Sequence, residues 1–306
     1  MSEIRFENRV AIVTGAGNGL GRSHALALAA RGAKVVVNDL GGSVDGSGSG
    51  SAAEDVVAEI MAAGGQAIAH RANVTSEAEV AEMVEQAKSK WGRIDILVNN
   101  AGILRDKSFA KMSIEDFKAV VDVHLMGSAI CTKAVWETMR EAQFGRIVMT
   151  SSSSGIYGNF GQSNYGAAKM GVVGFMNVLH LEGAKYGIRV NALAPVAATR
   201  MTEDIMPPAA LDLLKPESVT AGLVYLVSDD APSRTVLCAG AGGYAATKIY
   251  ETEGVYLPPE EQTPEHVAAN FAAITDTTGQ KEFQHGGEQG IKFLGKAAAH
   301  MGVSLG

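Results

Sequence analysis

Tyr165 and Lys169 stand one helical turn apart in "YGAAK", with only glycine and alanine between them. Residues at i and i+4 of a helix share a face, so a phenol and an ammonium at this spacing can reach one pocket. A free phenol has a pKa of about 10, too high for a base at neutral pH, and a neighbouring cation favours its ionised form. The chemistry on offer is proton abstraction by tyrosine. Hydroxyls able to polarise a substrate oxygen stand upstream in the run Ser151, Ser152, Ser153 and Ser154. An exposed helix carrying an ordinary Tyr/Lys neighbour pair would read the same way, so the context must decide.

A second constellation follows the first apolar run. In "TGAGNGLG", Gly15, Gly19 and Gly21, with Asn18 and Leu20 among them, form a strand-to-helix turn. There the bare backbone can approach a pyrophosphate, and the helix N-terminus can bind the anion. Asp39 ends the next strand about 20 residues on, where a carboxylate can bond a ribose 2′-OH. It would also repel the 2′-phosphate of NADP, and Leu40 beside it offers no guanidinium, so NAD is the expected cofactor.

Alternating elements must position these groups. "RVAIVTG", "AKVVVND", "GRIDILVNNAG", "FGRIVMTSS" and "GIRVNALAP" read as strands, with helical patterns over 20–31, 52–63, 76–91, 114–142 and 163–186 between them. Near-continuous apolar strands imply an α/β fold: a doubly wound, Rossmann-type parallel sheet with helices on both faces. The Gly/Ser-rich stretch 41–51 reads as a surface loop. The alternation ends near residue 250, and a helical C-terminal extension is expected over 251–306, packed on the same domain or on a neighbouring subunit.

Composition narrows the class. A chain of 306 residues, 46% hydrophobic and 19% charged, can bury a full core. A net charge of −7 gives no footprint for nucleic acid. "MSEIRFENRV" mixes charges where a signal peptide needs an apolar core, and no run approaches the roughly 18 apolar residues of a membrane span, so a cytoplasmic protein is expected. Cys131 and Cys238 form no metal or disulfide pattern, and His24, His70, His180, His266, His285 and His300 show no ligand spacing, so no metal is expected. "NVT" at 73–75 matches a glycosylation sequon by chance in an unexported chain.

The glycine motif at 14–21, "NNAG" at 99–102, the serine run and "YGAAK" resemble, in order and spacing, the short-chain dehydrogenase/reductase family over residues 8 to about 245. "VVVNDLGG", "GILRDKSF", "VHLMGS" and "AGAGGY" are similar to its subgroup of (3R)-hydroxyacyl-CoA dehydrogenases within the peroxisomal multifunctional enzymes of type 2. Without counterparts of that subgroup's hydratase and sterol-carrier modules, a stand-alone dehydrogenase is expected.

The resemblance implies roles. Tyr165 would take the alcohol proton as hydride leaves for the nicotinamide, and Lys169 would also hold the nicotinamide ribose. Ser152, thirteen residues before Tyr165, would polarise the oxygen, with Ser151 and Ser154 as alternatives. Asn99 would brace the central strands, Asn100, Ala101 and Gly102 would line the cofactor floor, and Asn73 and Val74 would meet the adenine. Pro195 and Thr199 would belong to the nicotinamide-side loop, although Val196 replaces the family's usual glycine. His124 stands where most members carry asparagine, and both a packed ring and a proton relay remain open for it.

Three readings follow: an NAD-dependent (3R)-hydroxyacyl-CoA dehydrogenase, a 17β-hydroxysteroid or other secondary-alcohol dehydrogenase, and a non-catalytic NAD(H)-binding sensor. For a CoA substrate, Arg105, Lys107 and Lys111 are candidate phosphate partners, or else a solvated face. Apolar Val120, Val123, Ile130, Val135, Val172, Phe175 and Leu179 on more than one face of helices 114–142 and 163–186 predict a homodimer or homotetramer.

Overall fold

Alternate residues of each central strand enter opposite cores. Along β1 (Val10–Thr14), Ile12 packs on one face of the sheet and Val13 on the other. The same alternation separates Leu97 from Val98 in β4 (Ile96–Asn99) and Ile147 from Val148 in β5 (Gly145–Thr150). A strand apolar on both sides is stable only between two helical layers. The computed structural model describes residues 3–42, 45, 50–197 and 212–305. The chain divides into two units, Met1–Ala246 and Thr247–Gly306.

The first unit holds an eight-stranded sheet in the order β3-β2-β1-β4-β5-β6-β7-β8, with β2 at Lys34–Asn38, β3 at Gln66–His70 and β6 at Ile188–Val196. β7 (Val236–Gly240) and β8 (Gly243–Thr247) complete it. The first seven strands pair in parallel. β8 returns through Ala241 and Gly242, both at positive φ (50° and 77°), a two-residue turn that only an antiparallel pair can use. The sequence pattern did not mark β3, β7 or β8. "QAIAH" and "GYAAT" each carry two alanines in five residues, a type depleted in strands, β3 and β8 are edges with partly exposed side chains, and "VLCAG" is short and ends in glycine.

One core lies under α1 (Gly19–Ala30) and α2 (Ala52–Ala62), through Leu28, Val56 and Ile60, and under Leu223 of the helix Pro216–Leu226. The other lies under α3 (Glu77–Trp91), α5 (Gly127–Glu141) and α7 (Ser163–Gly183), through Met83, Val135 and Met176. The helix expected over 114–142 runs unbroken from Ile114 to Glu141, as α4 (Ile114–Val121), a π-helical turn over Asp122–Met126, and α5. The wider turn carries His124 inward, and Gly127 after it lets the backbone close on Val74, whose Cγ2 would lie 2.7 Å from any Cβ there. Of the apolar residues expected to mark a subunit interface, Val120, Val135, Val172 and Leu179 are buried within the chain, because these helices lie against the sheet and one another.

The strand order reverses between β1 and β4, and the carboxyl ends of strands beside such a switch point form the crevice in which this architecture binds ligands. Asn100 stitches that crevice shut at its base. Its amide donates to the carbonyls of Thr14 and Gly15, both at 2.9 Å, while the Thr14 hydroxyl accepts from the Asn100 and Ala101 N–H groups at 3.0 and 3.1 Å.

The second unit is helical, with short helices at Pro264–Ala269 and Phe271–Ile274 and a longer one at Gly287–Met301. Lys292 of the long helix pairs with Glu251, and Lys296 with Glu253 at 2.9 Å.

Candidate active site

The turn after β1 is built by glycines with no space for side chains. Gly15 sits at φ +62°, and a Cβ on Gly21 would lie 2.1 Å from the Gly15 carbonyl oxygen. Asn18, exposed and making no side-chain cap, precedes α1, whose first turn carries no acidic residue. Leu20 packs against the core beneath. The helix terminus is thus open to an anion. Asp39, just beyond β2, accepts the Gly17 N–H at one carboxylate oxygen and the Gly41 N–H at the other, both at 2.7 Å. Gly17 went unmarked in the sequence, where it is one of the motif's variable positions. Its role depends on Asp39, 22 residues away in the chain.

The structure sorts the four serines. The Ser151 hydroxyl donates to the Lys169 carbonyl at 2.8 Å, Ser153 is exposed, and the Ser154 hydroxyl donates to Gln162 Oε1 at 2.7 Å. Ser152, N-cap of the short helix α6 (Ser153–Tyr157), accepts the Ser154 N–H at 3.2 Å and has its hydroxyl near enough to the Tyr165 phenol to favour the ionised form. Tyr165 and Lys169 project from the first two turns of α7, and Lys169 Nζ lies 5.4 Å from the phenol ring centre.

The electrostatics differ from expectation. Burial pushes the Tyr165 phenol above its ordinary value, the Ser152 hydroxyl opposes this, and the charge of Asp106 adds to it. Lys169 Nζ donates to the Thr150 carbonyl at 2.6 Å, and burial brings the ammonium down to about 7. In the free chain, desolvation therefore outweighs the phenolate-favouring effect expected of this lysine.

His124 faces the same spot. Its Nε2 lies 2.8 Å from the Ile103 carbonyl and 3.1 Å from the Ile103 N–H. Its ring meets Tyr165 edge-on, with centres 5.1 Å apart. Burial, then the charge of Lys169, hold it well below its ordinary pKa, with the bond to Ile103 opposing, so the ring is neutral. Gly102 must lack a side chain because a Cβ there would lie 2.3 Å from His124 Cε1.

Other expected residues are already engaged. Asn73 caps its own turn, its side-chain oxygen accepting from the Thr75 N–H and hydroxyl at 3.1 and 2.9 Å, while Val74 is buried. Asn100 shapes the glycine turn as described. Pro195 lies within β6, in register with Ala239, rather than in a following loop. Thr199 lies outside the described residues. Of the cations considered for CoA phosphates, Arg105 and Lys107 both pair with Asp116, at 3.2 and 2.9 Å, so one carboxylate offsets half of their charge. Among the described residues no group of three His, Cys, Asp or Glu side chains is placed to hold a metal ion, and no helix is long and apolar enough to cross a membrane.

Residues 9–209, which contain the glycine turn, the serine run and the Tyr/Lys pair, match the short chain dehydrogenase family. The chain belongs to that family. It is similar to a short-chain type dehydrogenase/reductase of Mycobacterium tuberculosis, 49% identical over 279 residues, which are 90% of this chain and 96% of that protein. Its structure resembles that of full-length peroxisomal multifunctional enzyme type 2 from Drosophila melanogaster, with a TM-score of 0.81 and 38% identity, covering 95% of this chain. The chain spans only 50% of that longer protein. A third likeness is to a 7α-hydroxysteroid dehydrogenase complexed with NADH and 7-oxo glycochenodeoxycholic acid, with a TM-score of 0.70 and 30% identity over 78% of this chain and 95% of that one. The side-chain-free turn, the open α1 terminus and the Asp39 carboxylate fit a dinucleotide.

The buried ammonium makes the free chain's stability depend on pH. Between about 7 and the ordinary 10.5, Lys169 holds fewer protons folded than unfolded, so its contribution grows more favourable as pH rises through that window. Lys169→Met removes the charge while keeping most of the volume. Urea unfolding of the cofactor-free protein should show the variant gaining stability over wild type by about 2–3 kcal/mol more at pH 6 than at pH 9. An equal difference at both pH values would show that Lys169 is not held as a buried charge.

Proposed function

We propose that the chain is an NAD-dependent dehydrogenase that oxidises a (3R)-hydroxyacyl-CoA to the 3-ketoacyl-CoA. The observation that carries the reaction type is that the Ser152 hydroxyl lies near the Tyr165 phenol and the Lys169 ammonium projects from the same helix face as that phenol. Ser152 follows the carboxyl end of β5, and the glycine turn and Asp39 follow those of β1 and β2 in the same parallel sheet. Gly15, Gly19 and Gly21 would take the pyrophosphate at the start of α1, with Asp39 on the adenosine ribose. A bound nicotinamide cation supplies the acceptor for hydride from the carbinol carbon. Tyr165 takes the hydroxyl proton in the same event, and the carbon–oxygen bond becomes a carbonyl. Ser152 holds the substrate oxygen against the phenol. Lys169, tied to Thr150, brings positive charge toward a group that burial alone keeps protonated. His124, neutral and locked to Ile103, keeps the Tyr165 ring edge in place.

The thioester substrate rests on the subgroup motifs and on the likeness to the multifunctional enzyme, since Asp116 offsets half of the charge of Arg105 and Lys107. A hydroxysteroid reading draws support from the likeness to the steroid dehydrogenase, because one base and one hydride geometry serve any carbinol of suitable shape. The homodimer or homotetramer is proposed on the half-buried Val123, Ile130 and Phe175 and the exposed Met126, Met170, Val178 and Leu181 of the π turn, α5 and α7.

Tyr165→Phe should leave NAD affinity near wild type while kcat falls about 10²-fold or more, the usual loss of a general base. Comparable turnover in the variant would remove Tyr165 from the chemistry. Substrate class is decided by assaying both 3-hydroxyacyl-CoA enantiomers beside a free 17β-hydroxysteroid, following NADH. The (3R) thioester is expected to be oxidised well and the (3S) form poorly, since with the hydroxyl held at Tyr165 and the acyl chain fixed the two enantiomers would present their carbinol hydrogens to opposite sides. A steroid kcat/KM above that of every (3R)-acyl-CoA would replace the first reading with the second.

A further inference from the structure

Asp39, just beyond β2, holds two backbone segments at once. Oδ2 accepts the N–H of Gly17 in the middle of the glycine turn, and Oδ1 accepts the N–H of Gly41 at the entrance to the Gly/Ser-rich insertion, each at 2.7 Å. Neither glycine has room for a side chain. A Cβ on Gly17 would lie 2.6 Å from the Ala52 Cβ at the start of α2 and 2.8 Å from Asp39 Oδ2. Gly41, at φ +77°, packs so closely on Gly50 that a Cβ would lie 2.1 Å from the Gly50 nitrogen. The carboxylate is itself well anchored, since the Asp39 N–H donates to the His70 carbonyl at 3.0 Å and the neighbouring Asn38 amide donates to the Ala72 carbonyl, also at 3.0 Å. One side chain thus fastens the middle of the phosphate-binding turn and the neck of the insertion to the end of β2.

An ionised carboxylate offers about four acceptor positions. The two backbone bonds use one on each oxygen, which leaves one on each for the two hydroxyls of a ribose. We propose that Asp39 is a positioning residue for the phosphate-binding turn as well as the reader of the ribose, so that one carboxylate couples recognition of the two parts of the cofactor. The inference rests on the reading of the site as an NAD site. Its consequence is that cofactor preference cannot be exchanged at Asp39 alone without loosening the turn. Asparagine shows why: its NH2 group would face one of the two backbone N–H groups, setting donor against donor where the carboxylate accepts.

Adenosine and ADP separate the two roles, because they share adenine and ribose and only ADP carries a pyrophosphate. Their dissociation constants are to be measured by calorimetry or ligand-observed NMR on the cofactor-free wild type, Asp39→Asn and Gly17→Ala. The expected result is that Asp39→Asn weakens ADP at least tenfold more than it weakens adenosine. Gly17→Ala, which keeps the carboxylate group but sets a methyl against its Oδ2 and against Ala52, should also weaken ADP more than adenosine. Equal losses for the two ligands in both variants would overturn the positioning role and leave the NAD reading standing, with Asp39 acting on the ribose only. A wild type that binds neither ligand would overturn the NAD reading and this inference together.

Discussion

A lysine ammonium buried in a protein is costly, and two neighbouring elements meet to hold Lys169 by its contact with the Thr150 carbonyl. The descent of Lys169 to about 7 corresponds to about 5 kcal/mol against its charged form. The helix that carries it is held at the same residue by the Ser151 hydroxyl on the Lys169 carbonyl, and its ammonium is held by the Thr150 carbonyl at the end of β5. Two adjacent strand-end residues therefore fix both the backbone and the side chain of the lysine. Ser152, the next residue, is then presented to the phenol four positions before Lys169 in α7. Sheet, helix and hydroxyl meet because the parallel order brings the end of β5 under the start of α7.

The same economy governs the opposite wall of the crevice. Thr14 and Asn100 lock the ends of β1 and β4 together, and Asp39 locks the glycine turn to β2. Glycines appear where two backbones, or a backbone and a ring, must touch. Gly21 lies under the Gly15 carbonyl and Gly102 lies against His124. His124 can fill that space because burial keeps it neutral, and a charged ring beside Lys169 would oppose the ammonium the site already strains to hold.

Much of this was legible in the sequence where the chemistry runs along the chain. The Tyr/Lys turn, the spaced glycines and the apolar strands each declare themselves within a few residues, and the family follows from their order. What was not legible depends on contacts between distant segments. Nothing near Gly17 or Gly41 in the sequence shows that both N–H groups belong to Asp39. Nothing in "VHLMGS" distinguishes a π turn from continued α-helix, because the apolar periodicity of the two is nearly the same over five residues. The pairing of Arg105 and Lys107 with Asp116 crosses from a loop to α4 and offsets half of the positive charge that their positions suggested. The alanine-rich edge strands lack the β-branched pattern by which the central ones are read. The direction of the phenol's shift was also hidden, since burial is a property of the assembled site.

The central claim is that Tyr165 is a base which the protein alone leaves protonated and which gains its ionised form when positive charge enters beside it. The most direct measurement is an NMR titration of protein carrying 13Cζ-labelled tyrosine, with the Tyr165 signal assigned by Tyr165→Phe, in the absence and presence of saturating NAD. The account predicts that Tyr165 titrates above the ordinary tyrosine value near 10 in the free protein and below it with NAD bound. The same titration in both states, or an ionised phenol at neutral pH without NAD, would contradict it.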